Sequence, residues 1–358
     1  MPVFLVGGLA VQISQDLRLT PVHLGLAVAV YFGATALGSL PVGTLVERLG
    51  SARTGRAAVL LAGASMLAIA LAARSVPTLL VLLAVAATAN SLGQLSSNAS
   101  LAQWVPPRRH GITFGVKQSA IPLSTLLAGL AVPTIALTVG WRWAFGLGAV
   151  LAVGALFLVP PDGRRTSAPG TRGGHVTAGL VLLGVAAALA AGAANGLGAF
   201  LVDSAVERGL RPATAGLMLT LGSTVCVAAR LLVGWAADRF GRGHLGLVAA
   251  LLGAGGVGVA LLAAPGRLAL AVGVLVGFGL GWSWPGLLAF AVVRRNPHAP
   301  AAATSVTQTG VYAGASVGPL GFGLLAGHYG YPVAWVAAGA AMVLASGCTL
   351  LGARAAGT

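Results

Sequence analysis

The sequence predicts an all-α polytopic membrane protein of twelve transmembrane helices, arranged as two parallel-repeat six-helix bundles. Three observations carry this prediction. Apolar residues make up 57% of the 358 positions and charged residues only 8%, against about 25% charged in ordinary soluble domains. So few charges do not cover a soluble surface, and a disordered chain is poor in apolar residues. Second, apolar runs recur at the roughly 20-residue length that a hydrocarbon core demands of a helix, without the short alternating strands of a transmembrane barrel. Third, the second half repeats the first at an offset of about 190 residues.

Cutting the runs at Pro, Gly and charge clusters gives the spans in order. The first, 2–16, stops at Asp16 and Arg18. The second, 22–46, opens after Pro21 and ends at Glu47 and Arg48. The third, 56–73, lies between Arg56 and Arg74, and the fourth, 77–104, carries no charge. The fifth, 111–138, follows Arg108, Arg109 and His110; the sixth, 142–159, follows Gly140 and ends at Pro160. The connection Pro160–His175 is the longest and is rich in Pro, Gly, Ser and Arg, so it reads as a linker. Beyond it lie spans 176–203, 212–236, 245–264, 267–292, 301–327 and 332–352. The predicted organisation is an N-terminal bundle over 1–159, a cytoplasmic linker over 160–175 and a C-terminal bundle over 176–358.

The formal charge is +15, from 21 basic and 6 acidic residues. A nucleic-acid binder gathers its basic residues into a patch or one helix face. Here they stand singly or in pairs between apolar runs, so no nucleic-acid partner is expected and the charge reports topology. With a cytoplasmic N-terminus, one side carries Arg48, Arg53, Arg56, Arg108, Arg109, Arg164, Arg165, Arg172, Arg239, Arg242, Arg294, Arg295 and Arg354. The other carries Arg18, Arg74, Arg142, Arg208, Arg211 and Arg267. The positive-inside rule then puts both termini in the cytoplasm of a multi-pass protein of the cell (plasma) membrane, the inner membrane of a bacterium.

Chemistry of other kinds finds little support. Cys226 and Cys348 lie in apolar segments, which gives neither a disulfide framework nor a Cys-rich metal site. No charged leader and small-residue cleavage site precede the first span, so no cleavable signal is expected. All six histidines sit at span ends or in loops, which argues against an intramembrane hydrolase or a metal carrier; no cofactor or metal is expected. Gly253-Ala-Gly-Gly-Val-Gly258 fits a dinucleotide fingerprint as a string, but no strand precedes it, and close helix packing through small residues explains it.

The repeat is specific in its residues. Gly43-Thr-Leu-Val-Glu-Arg-Leu-Gly50 falls on Gly234-Trp-Ala-Ala-Asp-Arg-Phe-Gly241, Gln12 on Asp203, Asp16 on Glu207, Pro21 on Pro212 and Gly25 on Gly216. With a one-residue adjustment, Gln118-Ser119 falls on Gln308-Thr309, and Gly140–Phe145 on Gly330–Trp335. An even number of spans per half makes the duplication parallel, with a cavity expected between the halves at mid-membrane. One feature is irregular. Span seven has many more residues before Asp203 than span one has before Gln12, which predicts a truncated first helix or a start site further upstream. An intact-mass measurement of the native protein decides between them.

Twelve spans as six plus six, with GTLVERLG after the second and GWAADRFGR after the eighth, resemble the major facilitator superfamily, and the resemblance covers essentially the whole chain. It implies the major facilitator fold, and gating loops at Gly43, Glu47, Arg48 and Gly50 and at Gly234, Asp238, Arg239, Gly241 and Arg242. Their glycines permit a tight turn, and the acid either sits at a helix N-terminus or pairs with a neighbouring Arg, latching the cytoplasmic side shut. The first copy departs from the family pattern at Glu47 and at Ser51-Ala52, where Asp and basic residues are usual. Two other family patterns are missing: the fourth span lacks an intramembrane Arg, and the fifth lacks the Gly-Pro string of drug antiporters. A similar string, Gly314 to Gly318-Pro319, stands in the eleventh span instead.

Ionisable and polar groups inside spans are candidates for function by default. Lys117 is the lone lysine and reads as a cationic contact to an anionic or polar solute, with Gln118 beside it; snorkelling to the surface is the competing reading. Arg230, one turn before Gly234, reads as nearer the surface, snorkelling or supporting the latch. Asp203, near the outer end of the seventh span, is either a carrier of a coupling proton or a residue of the mouth. Asn90, Gln94 and Asn98 form one stripe of the fourth span, and Thr304, Gln308 and Tyr312 one of the eleventh. Such stripes face protein or water rather than lipid. Trp282 and Trp284 lie mid-span, away from the interfacial belt where Trp is usual, and Asn195 joins this set.

The function predicted from these residues is secondary active transport of a small polar or anionic solute by alternating access, by a monomer that needs no cofactor, with protons as a possible coupling ion. Efflux of hydrophobic drug-like compounds is the alternative within transport, and a non-transporting membrane sensor on the same fold is the alternative outside it.

Overall fold

The computed structural model describes residues 1–105, 109–161, 177–239, 243–296 and 300–355. Arg108, Arg164, Arg165, Arg172, Gly241 and Arg242, with nearly all of the expected linker, lie outside the described residues, as does the side chain of Glu47.

The structure is all-helical. Helix α1 comes in two pieces, Pro2–Gly8 and Ala10–Leu17; α2 is Pro21–Leu49, α3 Ser51–Ala72 and α4 Val76–Trp104. Helix α5 runs as His110–Gln118, Ala120–Ala131 and a π turn Val132–Ala136, and α6 is Trp141–Ala155 with a short 3₁₀ tail. The second half holds α7 (Ala178–Glu207), α8 (Pro212–Arg239), α9 (His244–Leu261), α10, α11 (Pro300–Tyr329) and α12 (Tyr331–Ala355). Helix α10 is built from Arg267–Val276, a π turn Gly277–Gly281 and Trp284–Arg295. Among the described residues eleven helical stretches are long and apolar enough to cross a membrane. The exception is α1, whose pieces have 7 and 8 residues.

Local chemistry sets the ends. Thr20 accepts the His23 N–H at 3.3 Å with Pro21 in the first helical turn, and Ser75 and Thr177 cap α4 and α7 the same way. Gly140 and Gly330, equivalent in the repeat, take φ of +99° and +83° and turn the chain sharply into α6 and α12. The third helix starts before the expected residue 56, because Gly50 at φ +88° makes the whole α2–α3 turn and helix formation resumes at Ser51. Spans five and ten, read as continuous, are interrupted. Pro133 brings no N–H to the helix ladder and a π turn absorbs the gap. Trp282 and Ser283 break α10 just ahead of Pro285.

Packing follows the repeat. Helix α2 packs on α4, α3 on α4 and α3 on α6; their counterparts α8 on α10, α9 on α10 and α9 on α12 pack likewise. The halves meet through α2–α11 and the equivalent α8–α5, and through α1–α7. Glycines make several of these contacts. The α9 string that mimics a nucleotide fingerprint is buried packing: a Cβ on Gly255 would lie 2.2 Å from Gly281, and one on Gly256 2.8 Å from the Gly339 carbonyl.

Candidate functional site

Between the halves lies a cavity of about 180 Å³, walled by α1, α2, α4, α5, α7, α8, α10 and α11. Of the solute contacts expected from sequence, Gln118, Asn90, Gln94, Asn195, Trp282, Trp284, Gln308 and Tyr312 all line it. Helical spacing brings Asn90 and Gln94 to one wall and Gln308 and Tyr312 to another. Asn90 donates to Thr35 Oγ1 at 3.3 Å, and Asn195 to its own helix at the Ala191 carbonyl, 2.8 Å away.

Lys117 does not line this cavity. Its ammonium donates to Asn98 Oδ1, tying α5 to α4. Arg230, read as nearer the surface, is buried instead. Its side chain is 2% exposed and lines the cavity. Nε and Nη2 donate to the Trp282 carbonyl at 2.9 and 2.7 Å, and Nη1 donates to the Gln118 carbonyl. The physical reason lies in two helix breaks. Pro122 has no N–H to offer the Gln118 carbonyl four residues back, and the Trp282 carbonyl stands at the break of α10. Both oxygens point to the guanidinium, which also lies 6.0 Å from the Trp282 ring. Among the described residues no carboxylate pairs with Arg230, whereas Arg142 pairs with Asp16 at 2.6 Å.

Sequence reasoning missed Phe4, Tyr31, Phe32, Ser124 and Thr307, which also line the cavity. The rings make edge contacts, Phe4 with Phe32 at 6.3 Å and with Trp282 at 6.0 Å, and Tyr31 with Phe32 at 5.3 Å. Mid-span aromatic residues were the signal for Trp282, and the same signal was present at Tyr31-Phe32.

Asp203 accepts the Tyr331 hydroxyl and stands one turn from Glu207, at the end of α7 away from the cavity lining. The first half has a related contact, with Trp141 Nε1 donating to Asp16 at 2.9 Å. At the same end Arg142 donates to the Ala73 carbonyl, and Arg208 to the carbonyls of Leu262 and Ala264. Ala73 and Ala264 stand at the same offset as Gly43 and Gly234, so an Arg caps α3 and its repeat α9 alike. Partial burial lowers the Arg208 guanidinium from its ordinary value, with Glu207 opposing.

At the opposite end, the second gating loop bridges the halves. Asp238 Oδ1 and Oδ2 accept the Gly111 and Ile112 N–H groups, each at 2.8 Å, so the carboxylate sits on the N-terminus of α5. Gly234 makes the approach possible, since a Cβ there would lie 2.8 Å from the Gly111 carbonyl. Arg239 lies 5.9 Å from the Trp235 ring. In the first copy Gly43 is open and Arg48 is exposed at the end of α2, while the side chain of Glu47, and Gly241 and Arg242 of the second copy, fall outside what is described.

Comparison with known proteins agrees with this architecture. The sequence matches the family described as Major Facilitator Superfamily over residues 1–201 and again over 183–356. It is 31% identical over 138 residues to an uncharacterized transporter, YybO, of Bacillus subtilis (strain 168). That match covers 38% of this chain and 31% of the relative, so the chain spans about a third of that relative's length. Among solved structures, a bacterial homologue of the human lysosomal transporter Spinster, inward-facing and occupied, superposes with a TM-score of 0.75 at 16% identity, over 99% of this chain and 93% of that one. A D-xylose–proton symporter gives 0.74 at 17% identity, over 97% and 93%. The human organic anion transporter MFSD10 gives 0.72 at 16%, over 91% and 83%. At these identities the likeness is one of fold. The match along nearly the whole sequence, on this helical scaffold, places the chain in the Major Facilitator Superfamily, a family of multi-pass membrane transporters of small solutes.

Proposed function

We propose that the protein is a secondary active transporter that carries a small polar solute, an anion by preference, through the central cavity by alternating access. The observation that supports this is the buried Arg230 guanidinium at the cavity wall, held by two backbone carbonyls and by no carboxylate among the described residues. A buried cation without a counter-charge is costly, and an anionic solute supplies the missing charge. Cavity size argues the same way. About 180 Å³ is below the roughly 300–1,000 Å³ of sites for drug-sized ligands, and the amides of Asn90, Gln94, Gln118, Asn195 and Gln308 are in its wall. Efflux of hydrophobic compounds has one observation in its favour, a larger groove of about 440 Å³ between α7, α11 and α12, lined by Ala, Gly, Leu, Val and Phe.

The test is uptake by proteoliposomes of radiolabelled organic anions beside neutral sugars of similar size. Anion uptake is expected, and Arg230→Gln is expected to lower it at least tenfold while Arg230→Lys retains part of it, because charge-assisted hydrogen bonds contribute about 1.5–3 kcal/mol. Equal anion uptake by Arg230→Gln and the parent sinks the reading. Protons are the coupling ion to test first, by imposing a pH gradient on the parent and on Asp203→Asn.

A further inference from the structure

Beside the uncompensated charge of Arg230, the cavity lining holds an unsatisfied donor. Trp284 is 1% exposed and lines the cavity, yet its indole Nε1 has no hydrogen-bond partner among the described residues. A buried N–H without an acceptor costs about 1–3 kcal/mol, so it calls for a partner from outside the chain, a ligand or an ordered water. Arg230, bonded to the Trp282 carbonyl, borders the same space. Both groups donate only.

The charges around the cavity can be counted residue by residue. Asp16 is engaged by Trp141 and Arg142, Asp203 by Tyr331, and Asp238 by the start of α5. Glu207 is exposed at the end of α7. None of these acids lines the cavity, and Lys117 stands outside it on Asn98. Among the side chains of its lining, that of Arg230 carries the one fixed charge.

Resting on the anion reading above, we propose that the solute is a monovalent carboxylate held between the Arg230 guanidinium and the Trp284 indole N–H. One carboxylate oxygen accepts from the guanidinium and the other from the indole. The organic body lies against the Phe4, Tyr31 and Trp282 rings, and its remaining polar groups meet the amides. A second negative charge meets no second cationic side chain of the lining and bears the full cost of desolvation, so dicarboxylates are disfavoured by charge rather than by size.

The experiment is ligand binding to the full chain in detergent near neutral pH, read by thermal shift and tryptophan fluorescence. The probes are benzoate, benzamide and phthalate, and 3-hydroxybutyrate, its amide and malate. Tighter binding of a monocarboxylate than of both its amide and the matching dicarboxylate is expected. Trp284→Phe, which keeps a ring and removes the N–H, is expected to weaken monocarboxylate binding about tenfold or more. A Trp284→Phe protein that melts like the parent and binds the monocarboxylate equally well overturns the proposal. So does a parent that prefers the dicarboxylate, an outcome that leaves anion transport standing. Binding of amides in preference to every anion overturns both. If Trp284→Phe fails to fold, the series of charges on the parent decides alone.

Discussion

A Cβ on Gly314 would lie 1.8 Å from the Ala188 carbonyl oxygen, and those on Gly310 and Gly318 would lie 2.1 and 2.2 Å from Gly184 and Gly192. These residues let α7 and α11 touch backbone to backbone over two turns, and small residues are what permit such an approach in a membrane. Gly321, one turn along the same helix, has nothing within 4 Å of its Cβ position. Gly314→Ala is therefore expected to destabilise the protein by about 1–3 kcal/mol, whereas Gly321→Ala is expected to be neutral or to stabilise by up to about 1 kcal/mol. Thermal melting of the purified variants checks the pair, and equal melting temperatures contradict this packing. The residue scale is also where sequence reading was least complete. Helical spacing was enough to assign Asn90, Gln94, Gln308 and Tyr312 to protein-facing stripes, and all four line the cavity. It was not enough to choose between Lys117 and Arg230. That choice depends on carbonyls of α5 and α10, which become available at Pro122 and at the break before Pro285, and both helices are remote in sequence from Arg230.

Helix α5 is the element that joins the halves along its whole length. Its start is capped by Asp238, Gly115 meets the Arg230 carbonyl, Thr125 shares a 2.7 Å hydrogen bond with Ser223, and Gly129 abuts Gly216. A carboxylate on a helix N-terminus contributes about 0.5–2 kcal/mol through its hydrogen bonds and the helix dipole. Asp238→Asn keeps one acceptor oxygen and loses the charge. It is expected to shift the closed-to-open ratio at this end about threefold to thirtyfold toward open, read as spin-label distances between the start of α5 and the end of α8. An unchanged distance distribution rejects the latch. The duplicated Gly-acid-Arg order made this loop visible in the sequence, but not the helix it caps, because that partner comes from the other half of the chain. Likewise the interruptions of α5 and α10 follow from Pro133 and Pro285, whose helix-breaking effect depends on a register that hydropathy does not reveal.

Across the whole molecule two equivalent seams join the halves. The α5–α8 seam is tied at both ends. The α2–α11 seam is tied where Gly25 and Gly323 meet backbone of Pro319 and Pro21 and Ser316 donates to the Ala29 carbonyl at 3.0 Å. Further along α2, Val42 and Val46 pack on Ala58 of α3 and Leu92 of α4, within their own half. The parallel repeat was legible because paired loops and turn glycines leave residues to align. The contacts that hold each seam were not, because their partners come from opposite halves of the chain. If transport proceeds by alternating access, the tied end of α2–α11 must part once per cycle. Cross-linking Ala29→Cys to Ser316→Cys is then expected to abolish uptake by proteoliposomes, with activity restored by a reducible linker once it is cleaved. Cross-linking Ala249→Cys to Ser346→Cys, where α12 already donates to α9 at 2.7 Å within one half, is expected to leave most of the activity. Full uptake with the α2–α11 pair locked means that the halves do not part there, and the solute takes another route.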